Sequence, residues 1–171
     1  VDESIYIVDL FRSISEATAT KTGMTINYMH GHPLEITETL TQLTLDPTAA
    51  AGKYPLIALF QDFEEVKNGL NFEVSLNLII ATLTDNNYLA DERYTLNFKP
   101  TLYPIYNEFL LRIAKSTFFF ESSVGNIKHT KIDRLYWGRN GLFGNEGNIF
   151  NDYIDCIEIQ NLKLKVKQNK C

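Results

Sequence analysis

The clearest pattern in the chain is the alternation across residues 70–84. Phe72, Val74, Leu76, Leu78, Ile80 and Thr82 fall on one side. Glu73, Ser75 and Asn77 fall on the other, which turns apolar at Ile79, Ala81 and Leu83. Period-two alternation sends successive side chains to opposite faces of a strand. The segment therefore predicts one long strand, half exposed in its first part and buried on both faces in its second. About fourteen residues of strand reach roughly 45 Å, more than a domain of this size needs. The strand is thus expected to project, its Leu70 end reaching towards a neighbour and its Thr84 end anchored in the core.

Other periodicities flank it. In residues 3–18, Ile7, Leu10, Phe11, Ile14 and Ala17 recur at helical spacing, with Asp9, Arg12, Ser13 and Glu16 opposite. Asp2 or Ser4 is placed to cap that helix, and Gly23 to end it. Residues 24–29 alternate as a strand. Residues 34–45 fit a helix through Ile36, Leu40 and Leu43, although their threonines favour extended structure. Residues 46–52 read as a loop, 54–61 as a strand entered at Pro55, and 62–69 as a polar connection ending in the turn signal Asn68-Gly69. Residues 88–98 read as a connecting segment. Thr101 and Pro104 then open a helix over about 102–115, with Leu102, Ile105, Tyr106, Phe109, Leu110 and Ile113 on one stripe and Glu108 and Arg112 paired at i,i+4. Residues 127–138 read as a strand and 138–147 as a Gly/Asn-rich loop. In residues 153–167 the apolar phase slips by one, from Ile157 and Ile159 to Leu162, Leu164 and Val166. That slip predicts a β-bulge, or a change of partner, around Gln160-Asn161.

These elements predict an α+β single domain over residues 1–171: a mostly antiparallel sheet packed against an N-terminal helix and a central helix (about 102–115), with one overlong strand (about 70–84). A chain of 171 residues buries enough surface to need no staple. Hydrophobic residues make up 44 % and aromatics 12 %, which suits a filled core and also large interfaces. A net charge of −5 argues against a general or sequence-specific nucleic-acid binder. Lys163, Lys165, Lys167 and Lys170 form a local basic run, read as a solvated strand face. Cys156 and Cys171 lack metal-site spacing and suit a reducing compartment, with no disulfide between them. No stretch reads as a signal peptide or a membrane span, so the chain is expected in the cytoplasm at synthesis.

Candidate chemistry is sparse. His30-Gly31-His32 is short of further ligands, since His129 is remote in sequence, and reads as a polar turn before Pro33. Glu64-Glu65 and Asp91-Glu92 are neighbours whose side chains diverge, whereas a hydrolytic pair must oppose across a cleft. The 138–147 loop lacks the Lys-Ser/Thr of a phosphate-binding loop, and no nucleophile elbow is present. The helix over 102–115 carries too few basic residues to bind lipid. No catalytic, cofactor or metal residue is assigned.

The order of parts carries a resemblance. Tyr54-Pro55-Leu56-Ile57, the run from Tyr88 to Tyr94, the run from Pro100 to Tyr106 and the run from Asp152 to Leu162 follow one another as in the tail completion or tail terminator proteins of long-tailed bacteriophages. The chain resembles that family over roughly residues 54–167. The resemblance implies a homo-oligomer, a hexameric ring that caps the tail tube and joins it to the head-side connector or neck protein. It implies a virion protein, made in the host cytoplasm, that acts through surfaces without cofactor or membrane. DNA would pass through the ring, and an acidic lumen would let it slide. The 138–147 loop is longer than such a core requires. Candidate interface residues are Glu73, Ser75 and Asn77 on the long strand, and Arg139, Asn140, Leu142, Phe143, Asn145 and Glu146 in the loop. Two other readings stand beside this one: another phage neck or baseplate adaptor or a small protein-binding accessory module, and an enzyme of unrecognised type. Measuring assembly size separates a ring from a monomeric module.

Overall fold

The computed structural model describes residues 5–43, 45–85, 87–137 and 153–167. The chain forms an α+β fold: a five-stranded, mostly antiparallel sheet with an N-terminal helix and a central helix of 26 residues. In chain order the elements are α1 (Ile7–Thr22), β1 (Asn27–Gly31), α2 (Pro33–Leu43), α3 (Pro47–Ala51), β2 (Leu56–Asn68), β3 (Asn71–Leu83), α4 (Ala90–Arg93), a π-helical segment (Tyr94–Leu102), α5 (Tyr103–Lys115), β4 (Lys128–Trp137) and β5 (Ile154–Lys167). The strands lie in the order β1-β2-β3-β5-β4. β1 runs parallel to β2, and every other pairing is antiparallel.

The proximal half of the sheet is buried on both faces. Ile57, Leu59, Leu78, Ile80, Ile157 and Ile159 pack with Phe11, Ile14, Phe109 and Ile113 of α1 and α5. Leu56, Ala58, Ile79, Ala81, Ile154 and Cys156 pack on the other face with Ile36 and Leu40 of α2. This is the double burial that the second half of β3 predicted. In the distal half only one face is covered. Phe72, Val74, Leu76, Leu162, Leu164 and Val166 are buried there, while Glu73, Ser75, Lys163 and Lys165 turn away from the core.

Gly23 ends α1 in the left-handed conformation with φ 70°, as its position predicted. Four segments depart from expectation. Residues 46–52 hold a short helix, because Asp46 caps it by accepting the Thr48 N–H at 3.0 Å and Pro47 enters its first turn. Residues 62–69 are not a connection: β2 continues to Asn68 and turns at Gly69, whose φ is +65°. Polar composition hid that strand because only Phe63 of it packs on the core and its other side chains meet solvent. β3 therefore does not overhang. It is the central strand of three that extend together, paired to β2 and β5 as far as Asn71.

The fourth departure is the start of the central helix. Residues 88–98 are not a linker, and Thr101 is not a cap. Pro100 removes an amide that an α-helix would use, which reads as a stop. Instead the helix widens over Tyr94–Leu102, and the Tyr103 N–H reaches back to the Phe98 carbonyl, five residues away. The helix thereby runs unbroken from Ala90 into α5, where Glu108 and Arg112 pair at 2.8 Å as expected.

The phase slip in β5 is a bulge. Leu76 pairs with Leu162 and Leu78 with Ile159, so Gln160 and Asn161 both stand opposite Asn77. Asn161 adopts φ 52°, a left-handed conformation that asparagine tolerates better than other side chains. Its amide donates to Asn77 Oδ1 at 3.0 Å. Asn161→Gly is expected to leave stability almost unchanged, whereas Asn161→Val is expected to cost about 1–2 kcal/mol, read from urea denaturation midpoints. Equal midpoints for Val and Gly would show that the conformation carries no strain. β2 also shifts register between Phe60 and Glu64, and β4 both between Lys128 and Thr130 and between Arg134 and Trp137.

Candidate functional site

The distal half of the sheet leaves one face open, and this face is the candidate site. It forms a shallow concavity of about 370 Å³ lined by Glu64 and Val66 of β2, Glu73 and Ser75 of β3, Lys163 and Lys165 of β5, Lys128 of β4, and Glu121 and Asn126 before it. Register alone sets this charge pattern. Val66 stands beside Glu73 and Glu64 beside Ser75. Glu73 stands beside Lys165, and Ser75 beside Lys163. Lys128 stands beside Lys163. The β2 side of the concavity is acidic and the β5–β4 side basic. Val66 is 59 % exposed, an apolar side chain in the acidic border.

Glu121 is committed to the fold. Its carboxylate accepts the Lys165 N–H at 3.0 and 3.2 Å. Beside it the Phe120 N–H donates to the Lys165 carbonyl at 2.9 Å, and the Lys167 N–H to the Phe118 carbonyl at 2.8 Å. This segment closes the distal edge of β5, which β4 does not reach. Phe120 lies under the ammonium groups of Lys165 and Lys167, at 5.2 and 5.0 Å from its ring centre.

The opposite distal edge has no such cover. β1 ends with Gly31 beside Phe60, so residues 64–68 of β2 pair with β3 on one side, after the irregular residues 61–63, and with no strand on the other, among the described residues. Backbone N–H and C=O groups along an uncovered edge are open to pairing. The core-side rim of that edge carries Lys67, which pairs with Glu65 at 2.7 Å and lies 3.9 Å from the Phe72 ring centre.

The structure brings Glu73 and Ser75 together in the concavity, as two of the sequence candidates. Asn77 lies at its limit and is spent on the bulge amide. Arg139, Asn140, Leu142, Phe143, Asn145 and Glu146 lie outside the described residues. Lys128, Lys163, Lys165 and Glu64 are additions. Their alternation was visible, but only the pairing of β2, β3, β5 and β4 places them on one face.

A second, more aromatic notch of about 280 Å³ lies between the central helix and β4, lined by Ala90, Tyr94, Phe98, Tyr103, Asp133 and Leu135. Tyr103 donates its hydroxyl to Asp133 Oδ2 at 2.6 Å, and Lys131 pairs with Asp133 Oδ1 at 2.7 Å while lying 4.8 Å from the Tyr103 ring centre. Partial burial, then the hydrogen bond to Asp133, push the Tyr103 hydroxyl up to about 12. Nearby, His129 Nδ1 is 2.9 Å from the Ile127 carbonyl, which only accepts. Nδ1 therefore donates to it, and Nε2 lies 2.6 Å from the Tyr106 hydroxyl. The arrangement fixes β4 against the helix.

The other candidates are used locally. His30 bonds Gln61, and His32 accepts the Leu34 N–H. Among the described residues, no three His, Cys, Asp or Glu side chains are placed to hold a metal, and no helix is long and apolar enough to cross a membrane. Cys156 is fully buried, which pushes its thiol well above the ordinary value. No protein-family model, curated protein or solved structure matches the chain.

Proposed function

We propose that this chain is a structural virion protein of a bacteriophage tail, forming a ring that terminates the tail tube and joins it to the head-side neck. The observation that carries the reading is the half-open sheet. Three long strands extend together into a distal half that is covered on one face only, one of them has an edge with no strand beside it among the described residues, and the exposed face between them is patterned in charge. A protein that works by assembly needs such surfaces: an edge that accepts a strand, and complementary charge that sets register and partner. The motifs of the tail-terminator resemblance add to this, since Tyr54–Ile57 enters β2 and the run to Tyr106 builds the central helix.

In this reading the partners are further copies of the chain, the tail tube protein and the connector or neck protein. The net charge of −5 suits a ring through which DNA slides without sticking. Electron microscopy of particles made without the protein tests the proposal. Tails of irregular length, or tails separated from heads, are expected. Normal virions would refute it.

A further inference from the structure

The two edges of the sheet carry opposite charge. The open part of β2, residues 61–68, presents Asp62, Glu64 and Glu65 against a single Lys67. At the other end of the sheet, β4 pairs with β5 on one side only among the described residues, and it carries Lys128, Lys131 and Arg134 against a single Asp133, with Lys131 paired to Asp133 at 2.7 Å and Arg134 to Glu158 of β5 at 3.0 Å. We propose that copies of the chain join edge to edge, the open half of β2 in one copy pairing with the outer edge of β4 in the next.

Three arguments select this occupant. The first is the backbone. Residues 64–68 offer an uncovered row of N–H and C=O groups, and a strand from a second copy satisfies them. The second is charge. Setting β2 against β2 would align three carboxylates of one copy with three of the other, and β4 against β4 would align basic side chains. Only the mixed pairing sets a net acidic edge against a net basic one, and like charges directly across a ladder are destabilising. The third is direction. β2 is antiparallel to β3, β3 to β5, and β5 to β4. β4 therefore runs opposite to β2, and a second copy in the same orientation presents β4 antiparallel to β2, continuing the sheet without turning it over.

The contact is heterologous, using different surfaces on the two partners, so repetition gives a ring or an open filament and not a twofold dimer. β1 fills the step beside residues 56–60, so the incoming β4 sits beyond Gly31. β4 is level with the opposite half of the sheet, which offsets successive copies along the strands and sets the strands obliquely in the wall of the assembly. The contact rests on the proposal that copies assemble, and it does not depend on what the assembly caps.

Paired charge reversals test it. In one variant Glu64→Lys and Glu65→Lys make the β2 edge basic. In the other Lys128→Glu and Lys131→Glu make the β4 edge acidic. By light scattering over a range of concentrations, wild type is expected to form oligomers. Each variant alone is expected to need roughly tenfold or more protein to assemble, and an equimolar mixture of the two is expected to assemble like wild type. In wild-type oligomers, hydrogen exchange of residues 61–68 and of β4 is expected to slow relative to dilute monomer. This second readout holds even if a reversal prevents folding, which thermal unfolding of each variant reveals. A wild type that stays monomeric at every concentration overturns the contact. So do reversals that assemble like wild type, mixtures that stay dissociated, or unchanged exchange at the two edges. If the edges pair as stated but particles lacking the protein carry normal tails, the tail reading falls and the contact stands. If wild type assembles indifferently to the reversals and tails fail without it, the contact falls and the tail reading stands.

Discussion

Asp155→Ala is expected to lower the unfolding free energy by about 3–5 kcal/mol, a large share of the roughly 5–15 kcal/mol that holds a domain together. Asp155 is fully buried near the start of β5 and pairs with Arg93 at 3.0 Å, itself only 6 % exposed. The network around the pair is well supplied. Arg93 also donates to Thr84 Oγ1 at 2.8 Å and to the Asp85 carbonyl at 3.0 Å, and Asn97 donates to Asp155 Oδ2 at 2.8 Å. Arg93 and Asn97 are four residues apart on the central helix, so one helical face clasps the ends of β3 and β5. Removing the carboxylate strands a buried guanidinium, and that strain, more than the lost attraction, sets the cost. The double variant Arg93→Met with Asp155→Leu is expected to recover much of the loss, since an apolar pair of similar volume leaves no buried charge. Urea denaturation of both variants decides it. A loss below about 1 kcal/mol for Asp155→Ala would show that the pair behaves as a surface ion pair.

Phe11→Ala is expected to cost about 3–5 kcal/mol. Phe11 is 1 % exposed and is the ring through which α1, α5 and the Phe118–Phe120 segment meet. Its centroid lies 5.9 Å from that of Phe109 and 6.1 Å from that of Phe119, in tilted and edge-on arrangements. Truncation removes the contact area and leaves a cavity that three rigid elements cannot close. Phe11→Leu keeps most of the volume and is expected to lose less than half as much. Equal losses for Ala and Leu in thermal or urea unfolding would assign the effect to the aromatic contacts in place of the filled volume.

Much of this fold is legible in the residues. The change of β3 from half-polar to fully apolar marks where α2 begins to cover the second face, and the slip at Gln160-Asn161 marks a real bulge. Both signals are local and geometric, because a strand has only two faces and any departure from alternation must be absorbed somewhere. The beginning of the central helix was not legible, since Pro100 signals an end and only the widened turns show how the helix accommodates it. The second half of β2 was hidden for a different reason: a strand that sets only Phe63 on the core lacks apolar alternation. The site followed the same rule. Glu73 and Ser75 were visible as the polar phase of a strand, but Lys163 and Lys128 join them only through pairings between segments far apart in sequence. A pattern reads faces. It does not read neighbours.

One register shift in each of β2, β5 and β4 falls on a row beside Ser75–Leu78 of β3, while a second shift of β4, between Arg134 and Trp137, lies apart from it. In the language of crystals the three in the row form a line of dislocations across the sheet. β5 gains one residue there and changes parity, β2 gains two and keeps its faces, and β3 alternates without a break. The distal and proximal ladders are thus offset from one another while β3 carries one buried face through both. Substitutions that rewrite the charge pattern of the open distal face therefore leave untouched the buried face that packs α1 and α5.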